Sequence, residues 1–366
     1  MFPTFNQEQQ ENSLVWIIWY QYYSFDHGKP AMKKKYLVIC LATILVFAGV
    51  PKSYAAQVGK TCVKEGLFEG ELICINDSGK KKWQRFDSTK AVQSAINLAI
   101  TTTALPKTLT PAITKVRTNK SLWLDQECAV DFPDIKVPEC IAGDLTATKT
   151  MVVYGDSHAS MWMTALDVIA KKSNYKIYLF AKLACPLVEV PIWSYQLNRP
   201  FDECVQWQKL VLPRIEALKP EILIVTDQWK PAVIDGKKSD FDTPIMWQVE
   251  FPKALAKLKA MTNRLIVIGN NPSMQQDPVT CASKPKANIG LCTSGRNLAG
   301  NVQINRIEKD ATINSGGTYI DTVDFACSQY LCPVVINNIF VYFDQWHFTS
   351  SYVTWLVPVL KKALAI

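Results

Sequence analysis

The stretch "MVVYGDSHASMW", residues 151–162, joins a short apolar run to three adjacent polar residues and then to a helical pattern. The apolar run ends at Gly155, and Asp156, Ser157 and His158 follow directly. Apolar residues then recur at the spacing of an amphipathic helix. The stretch therefore predicts a buried strand, a tight turn and a helix. Its polar residues either cap that helix or hold a serine nucleophile at the strand end.

The same alternation of strand and helix continues to the end of the chain. Helical patterns cover 159–172, 203–218, 247–261, 299–313 and 349–364, with Thr349 or Ser350 as the N-cap of the last. Short apolar runs that predict strands cover 150–155, 175–181, 221–227, 264–270 and 318–322. Continuous apolar strands of this kind are buried on both faces, as in a parallel sheet. The pattern predicts a three-layer α/β/α fold with a mainly parallel, flavodoxin-like sheet and a site at the carboxyl ends of its strands.

Histidine is scarce after residue 56, where only His158 and His347 remain. A serine nucleophile needs a base, and at neutral pH that base is usually histidine. Asp344 precedes His347 by three residues, which places both side chains on one side of a turn. We therefore predict Ser157 as nucleophile, His347 as base and Asp344 as the carboxylate that orients it.

The N-terminal region has the layout of a secretory signal peptide. Three lysines precede the apolar run of residues 36–50, and a small-residue cleavage site near Ala55 or Ala56 follows. We expect Met32 to be the true start, residues 1–31 to be a non-native extension and residues 32–56 to be the signal. If translation begins at Met1, the run is internal and can stay as a membrane anchor.

The remaining chain divides by composition into three parts. Residues 57–90 are rich in turn signals, contain two cysteines and predict a small disulfide-pinned β-hairpin unit. Residues 91–120, interrupted by prolines, predict a linker. Residues 121–366 are expected to form the α/β domain.

Ten of the eleven cysteines follow the signal. An even number in an exported chain predicts disulfides. Spacing does not fix the connectivity, and we expect sequence neighbours to pair. Zinc is disfavoured because no Cys-x-x-Cys occurs and histidines are few, so no metal or cofactor is expected. The predicted pairs are Cys62–Cys74, Cys128–Cys140, Cys185–Cys204, Cys281–Cys292 and Cys327–Cys332.

The formal net charge of +8 is mildly basic. It fits a solvated basic surface that adsorbs to anionic envelope polymers or lipid headgroups. No dense cluster of lysine and arginine is interleaved with aromatic residues, so no nucleic-acid partner is expected.

Several blocks of the sequence are similar to a known family. The motifs "GDSH" and "DQWH" at 155–158 and 344–347 resemble the SGNH/GDSL hydrolase superfamily. The finer match is to the SGNH domain fused to acyltransferase-3 membrane proteins, which O-acylate envelope polysaccharides. The resemblance implies the SGNH-hydrolase fold and the same three catalytic residues. Further similar blocks are "ALPKTLTPAI" (104–113), "CAVDFPDIKVPEC" (128–140), "LACPL" (183–187), "VTDQW" (225–229), "VIGNNP" (267–272) and the cysteine-rich stretch 327–352.

The chain departs from the superfamily in its oxyanion hole. The second strand ends without the usual glycine, and "TDQWKP" (226–231) lacks the usual asparagine. The N–H of Ser157 supplies one donor. The second donor is unassigned, with a backbone N–H near Ala184 or Cys185 as the first candidate. Asn270 and Asn271 are weaker candidates.

Three further residues fall at predicted strand ends near the site. His158 either lines the site or packs in the core, and we expect it to line the site. Asp227 is either a site-wall carboxylate or a solvated strand end. Trp229 either stacks on a sugar or packs in the core or rim.

These features together predict a secreted, periplasmic or cell-surface serine enzyme. It would act on O-acyl, most simply O-acetyl, esters of envelope carbohydrate through an acyl-serine intermediate, as esterase or transferase. A glycan acceptor and a separate membrane acyltransferase are the expected partners. A non-catalytic glycan-binding protein on the same scaffold is the alternative, and a thiol-redox protein is disfavoured by the absence of Cys-x-x-Cys.

Overall fold

A computed structural model describes residues 57–63, 68–69, 72–77, 79–125 and 127–366. The expected extension 1–31 and the expected signal 32–56 lie outside the described residues. The strands are β1 (Phe68–Glu69), β2 (Leu72–Asp77), β3 (Lys80–Arg85), β4 (Ala129–Val130), β5 (Cys140–Gly143), β6 (Lys149–Gly155), β7 (Tyr175–Lys182), β8 (Trp193–Ser194), β9 (Arg199–Pro200), β10 (Ile222–Thr226), β11 (Ala232–Ile234), β12 (Lys237–Ser239), β13 (Arg264–Ile268), β14 (Ser294–Gly295), β15 (Thr318–Ile320), β16 (Leu331–Cys332), β17 (Val335–Ile336) and β18 (Ile339–Phe340).

The helices alternate with the longer strands. They are α1 (Ser88–Ala99), α2 (Ser157–Ser173), α3 (Asp202–Leu218), α4 (Thr243–Ala260), α5 (Pro278–Ala282), α6 (Arg296–Ala299), α7 (Val302–Asn314), α8 (Ser350–Trp355) and α9 (Val357–Leu364). Short 3₁₀ turns cover Ile113–Thr118, Leu122–Leu124, Ile289–Cys292 and Thr322–Phe325.

The largest sheet has the strand order β15-β13-β10-β6-β7-β4, and strands that are neighbours in this order run parallel. β5 adds an antiparallel strand to the same edge of β7 as β4. All five predicted strand runs form members of this sheet. The antiparallel β5 was not predicted, because its four residues lack a strand-like apolar pattern. The predicted mainly parallel α/β class is confirmed.

Side chains of β6 alternate between two hydrophobic cores on opposite faces of the sheet. Met151 and Val153 belong to one core, which they share with α2, α8 and α9. Val152 and Tyr154 belong to the other, which they share with α3 and α4. All four side chains are buried. Burial on both faces explains the unbroken apolar run at the centre of the sheet and establishes the three layers.

The small N-terminal unit is a three-stranded antiparallel sheet of β1, β2 and β3. Its own core consists of Trp83 and the Cys62–Cys74 disulfide. The following helix α1 places Val92 and Ile96 in the same core as α2. Core residues of the large domain therefore begin before residue 121, while the predicted domain boundaries themselves stay a prediction.

The C-terminal helix differs from the single helix expected over 349–364. Thr349 caps α8 as predicted, since its side chain accepts from the N–H of Tyr352. Pro358 lies in the first turn of α9. It has no N–H to bond the carbonyl of Thr354, so the helix breaks into α8 and α9.

The structure contains all five expected disulfides, each between sequence neighbours. Cys128–Cys140 joins β4 to β5 beside β7, and Cys185–Cys204 joins the loop after β7 to α3. Within the described residues, no helix combines the length and apolar character that crossing a membrane requires.

Candidate active site

Ser157 stands at the carboxyl end of the central strand β6, as the first residue of α2. Asp156 caps this helix, since its side chain accepts from the N–H of His158. The N–H of Ala159 binds the backbone carbonyl of Asp156. These bonds leave the N–H of Ser157 at the positive end of the helix for a developing oxyanion.

Asp344 and His347 lie in one tight turn between β18 and α8. The two carboxylate oxygens of Asp344 lie 3.0 and 2.8 Å from Nδ1 of His347. Oδ1 of Asp344 also accepts the backbone N–H groups of Trp346 and His347, at 2.7 and 2.8 Å. The aspartate therefore fixes both the turn and the ring that the turn carries.

Nε2 of His347 lies 2.8 Å from Oγ of Ser157. Since Asp344 accepts at Nδ1, the proton of the neutral ring sits there and Nε2 is free to accept the serine proton. The structure thus brings together the three residues that the sequence predicted as nucleophile, base and orienter. Ser157 is half-buried, and the side chain of His347 is 15% exposed, so a substrate has access to the pair.

The turn around His347 is held by bonds from two other segments of the chain. The carbonyl of Gln345 accepts the N–H of Met274 at 2.7 Å. The carbonyl of Trp346 accepts Nδ2 of Asn271 at 2.6 Å. Nη1 of Arg117 lies 3.4 Å from the carbonyl of Phe343. Segments that are remote in sequence therefore determine where the base stands.

Two carboxylates at the site stay ionised. Burial raises the pKa of Asp344, but the charge and hydrogen bonds of His347 outweigh it, and the net pKa lies below its ordinary value. Burial also raises the pKa of Asp156, and the interactions with His158 and Lys230 bring it below its ordinary value. An ionised Asp344 stabilises the imidazolium that forms when His347 takes the serine proton.

The turn after β7 contains the first candidates for the second oxyanion donor. The N–H of Cys185 donates to the carbonyl of Lys182 at 3.1 Å, so it is already used. Ala184 has a φ of 55°, in the left-handed region. This conformation turns the backbone sharply one residue before the Cys185–Cys204 disulfide. Of the two candidates, this leaves the N–H of Ala184 for the second donor.

The side-chain amides of Asn270 and Asn271 donate to groups other than a possible oxyanion. Nδ2 of Asn270 donates to both carboxylate oxygens of Glu308, at 2.9 and 2.8 Å. Oδ1 of Asn270 accepts the N–H of Trp229. Nδ2 of Asn271 donates to Trp346. Both amides therefore connect neighbouring segments of the chain behind the site.

Asp227 is buried behind the strand ends rather than solvated. It is 2% exposed, and its Oδ2 accepts the N–H of Leu187 at 2.7 Å. Burial and the nearby charge of Asp156 raise the pKa of Asp227 to about 7. Its role here is to anchor the loop that follows Ala184, so strand-end solvation, one of the two interpretations from sequence, does not apply.

The two tryptophans near the strand ends differ in exposure. Trp229 is partly buried and packs against the core under α3 and α4. Trp346, next to His347, is 45% exposed. Among the residues that the structure describes, no group of three or more histidine, cysteine or acidic side chains is placed to hold a metal ion.

His158 occupies a place that the sequence did not reveal. It is 1% exposed, and its ring stacks on that of His347 with centroids 4.7 Å apart. Phe343 also stacks on the ring of His347, with centroids 5.2 Å apart and an interplanar angle of 7°. Rather than lining the open site, His158 lies behind the base. The only signal in the sequence was its position next to Ser157.

A Ser–His–Asp arrangement at the carboxyl edge of a parallel α/β sheet defines a serine-dependent site of the acyl-transfer or ester-hydrolysing class. The family model for the SGNH domain fused to AT3 domains matches residues 127–362, and the chain belongs to this family. The match covers more than half of the chain and includes Ser157, Asp344 and His347. The resemblance stated from the sequence motifs is thereby confirmed.

Solved structures similar to this chain are distant in sequence. One is the periplasmic domain of a lipopolysaccharide acetyltransferase from Salmonella ser. Paratyphi A, with 15% identity and a TM-score of 0.46 over 76% of this chain and 97% of that chain. Another is a catalytic mutant of an acetylxylan esterase from Geobacillus stearothermophilus, with 9% identity and a TM-score of 0.37 over 60% of this chain and 95% of that chain. No curated protein sequence matches the chain.

Proposed function

We propose that the protein is an extracytoplasmic serine enzyme that acts on O-acyl esters of cell-envelope carbohydrate. The observation that carries the proposal is the 2.8 Å contact between Oγ of Ser157 and Nε2 of His347, with Asp344 bound at Nδ1. Membership of the SGNH domain family supports it. Five disulfides support an oxidising compartment outside the cytoplasm.

The first half of the proposed reaction forms an acyl-serine. Oγ of Ser157 attacks the acyl carbonyl carbon while its proton passes to Nε2 of His347. The carbonyl oxygen becomes an oxyanion, which the N–H groups of Ser157 and Ala184 stabilise. As the oxyanion collapses, the bond to the leaving alkoxide breaks, and His347 returns its proton to that oxygen.

The second half releases the acyl group. Nε2 of His347 takes a proton from the incoming hydroxyl, which is either water or a glycan hydroxyl. That oxygen bonds to the acyl carbon, the bond to Oγ of Ser157 breaks, and the serine recovers its proton. Water gives an esterase and a sugar gives a transferase, with a separate membrane acyltransferase as the proposed acyl source for the latter. The half-exposed indole of Trp346 supports a sugar acceptor, since it offers a flat apolar face beside the base.

The test compares three purified proteins on p-nitrophenyl acetate: the parent chain, Ser157→Ala and Ser160→Ala. Ser160 is a matched control, since it is buried in the same helix and its hydroxyl has no hydrogen-bond partner among the described residues. We expect Ser157→Ala to lose at least ~10³-fold in kcat and Ser160→Ala to keep it. A fluorophosphonate should label the parent chain at Ser157.

Equal rates for the parent chain and Ser157→Ala, with no labelling, would exclude catalysis. The alternative would then be a glycan-binding protein on the same scaffold. With an active enzyme, adding an oligosaccharide acceptor separates the two modes. A transferase forms acetylated sugar at the expense of free acetate, whereas an esterase releases acetate at an unchanged rate.

A further inference from the structure

We infer that His158 is a positioning residue, whose Nε2–H donates to the carbonyl of Trp346 and so holds the turn that carries His347. The inference deepens the proposed acyl-serine function and rests on it. His158 lies behind the catalytic pair, almost fully buried, and it reaches no substrate. Its effect would come entirely through the backbone and ring of the base.

The hydrogen-bond partners of His158 determine where its ring protons lie. Nε2 lies 3.1 Å from the carbonyl oxygen of Trp346. A carbonyl oxygen only accepts hydrogen bonds, so Nε2 must carry a proton. Nδ1 lies 3.0 Å from Oδ1 of Asp156, and this ionised carboxylate can only accept there.

Asp156 is itself held by two further contacts, so it fixes the position of the His158 ring. Its Oδ1 accepts the backbone N–H of His158 at 2.8 Å, and its Oδ2 accepts the N–H of Gln228 at 3.0 Å. Oδ1 also faces Nδ1 of the ring. With Asp156 and the ring buried, His158 has little freedom to rotate.

The carbonyl that His158 holds belongs to the peptide unit that joins Trp346 to His347. On the other side of this unit, the N–H of His347 donates to Asp344. Asn271 donates to the same Trp346 carbonyl as His158 does. The peptide is therefore fixed at both its oxygen and its nitrogen, which sets the position of the His347 Cα.

Ring stacking adds a second restraint on the base. The His158 and His347 rings stack at an interplanar angle of 25°. Phe343 also stacks on the His347 ring. Stacking by two neighbouring rings limits tilting of the His347 ring, whose Nε2 lies beside Oγ of Ser157.

Two substitutions separate the carbonyl contact from the aspartate contact. In His158→Gln, the side-chain amide nitrogen falls near the former Nε2 and can still reach the Trp346 carbonyl. In His158→Asn, the shorter amide falls near the former Nδ1 and can reach only Asp156. Both remove the aromatic stack and place a neutral amide, so the pair differs in which contact survives and in one methylene group.

We expect His158→Asn to lower kcat for p-nitrophenyl acetate on the order of 10²-fold with little change in KM, because the base is displaced while the substrate pocket stays. His158→Gln should keep a kcat roughly tenfold higher than His158→Asn, the factor for one hydrogen bond. Equal kcat values in the two variants, or a parent-like kcat in His158→Asn, would overturn the inference.

Histidine ¹⁵N NMR of the unmutated protein tests the contact without any activity. The chain has three histidines, and the signal lost in His158→Gln identifies His158. At neutral pH we expect its Nε2 to be protonated. A bare Nε2 would refute the hydrogen bond to Trp346 even in an active enzyme. An inactive parent chain with a protonated Nε2 would instead count against the proposed function alone.

Discussion

Gly155 lies against the backbone of Thr226 so closely that a Cβ atom at Gly155 would stand 1.7 Å from the Thr226 carbonyl oxygen. The two residues are paired across β6 and β10, directly before the turn that carries Ser157. Neither backbone can shift to make room, because β6 and β10 are central strands of the sheet. The nucleophile therefore depends on a close approach that only glycine permits.

Gly155→Ala should destabilise the fold by at least ~1–3 kcal/mol, the usual effect of overpacking, and displace Ser157. Chemical denaturation measures the first effect, and the rate of fluorophosphonate labelling measures the second. Gly295→Ala is a control for the added methyl group, since nothing lies within 4 Å of the position that a Cβ atom would take there and alanine readily adopts its φ of −64°. Equal labelling of Gly155→Ala and the parent chain would show that the β6–β10 contact does not position the serine.

Asp344→Asn should lower kcat by roughly 10³–10⁴-fold while leaving the fold intact. The carboxylate accepts Nδ1–H of His347 and two backbone N–H groups. An amide nitrogen facing Nδ1 would donate there, move the ring proton to Nε2 and block acceptance of the serine proton. Kinetics on p-nitrophenyl acetate measure the effect, and unchanged circular dichroism excludes unfolding. A parent-like kcat would mean that His347 needs no orienting carboxylate.

Asp227→Asn should change how stability depends on pH. Burial and the charge of Asp156 raise the pKa of Asp227 to about 7, well above its ordinary 3.8. Between about pH 4 and pH 7, the folded protein therefore keeps a proton on Asp227 that the unfolded chain releases. The free energy of unfolding falls as pH rises through this range. At about 1.4 kcal/mol per pKa unit, the loss amounts to a few kcal/mol.

Asparagine keeps an oxygen acceptor for the N–H of Leu187 but does not titrate. Urea unfolding should therefore show that the free energy of unfolding of Asp227→Asn, relative to the parent chain, is higher at pH 8 than at pH 5. The same difference in stability at both pH values would contradict a raised pKa at Asp227.

Removal of the Cys185–Cys204 disulfide should lower both stability and kcat. The bond closes a separation of 19 residues and lies directly after Ala184. The loss of chain-entropy stabilisation is roughly 3 kcal/mol, and looseness at Ala184 would weaken the proposed second oxyanion donor. The double variant Cys185→Ala/Cys204→Ala tests this by denaturation and by kinetics.

Cys62→Ala/Cys74→Ala provides the control, because that bond lies in the core of the small N-terminal sheet. It should lose stability in that unit and keep the parent kcat. Equal kcat values in the two double variants would show that the turn at Ala184 does not contribute to the oxyanion hole.

The sequence predicted which serine, histidine and aspartate the fold brings together, because few residues could compete for those positions. Only two histidines follow residue 56, and Asp344 lies three residues before one of them. Each of the five predicted strands is a member of the sheet, since a strand buried on both faces leaves an unbroken apolar run. Local patterns of this kind are visible without knowledge of tertiary contacts.

The parts that escaped prediction depend on contacts between distant residues. Asn270 binds Glu308, 38 residues away, and Asn271 binds Trp346, 75 residues away. Neither partner is marked by spacing or composition. His158 reaches Trp346 across 188 residues, so its place behind the base follows only from the folded chain.

Ser157 and His347 meet across 190 residues. A ribosome makes the nucleophile long before it makes the base, and during that interval the serine has no partner to take its proton. Chemistry can begin only once the turn at 343–347 has docked on the finished sheet. Turnover of an ester therefore requires that both segments have folded, and a rate assay during refolding would measure when Ser157 and His347 come together.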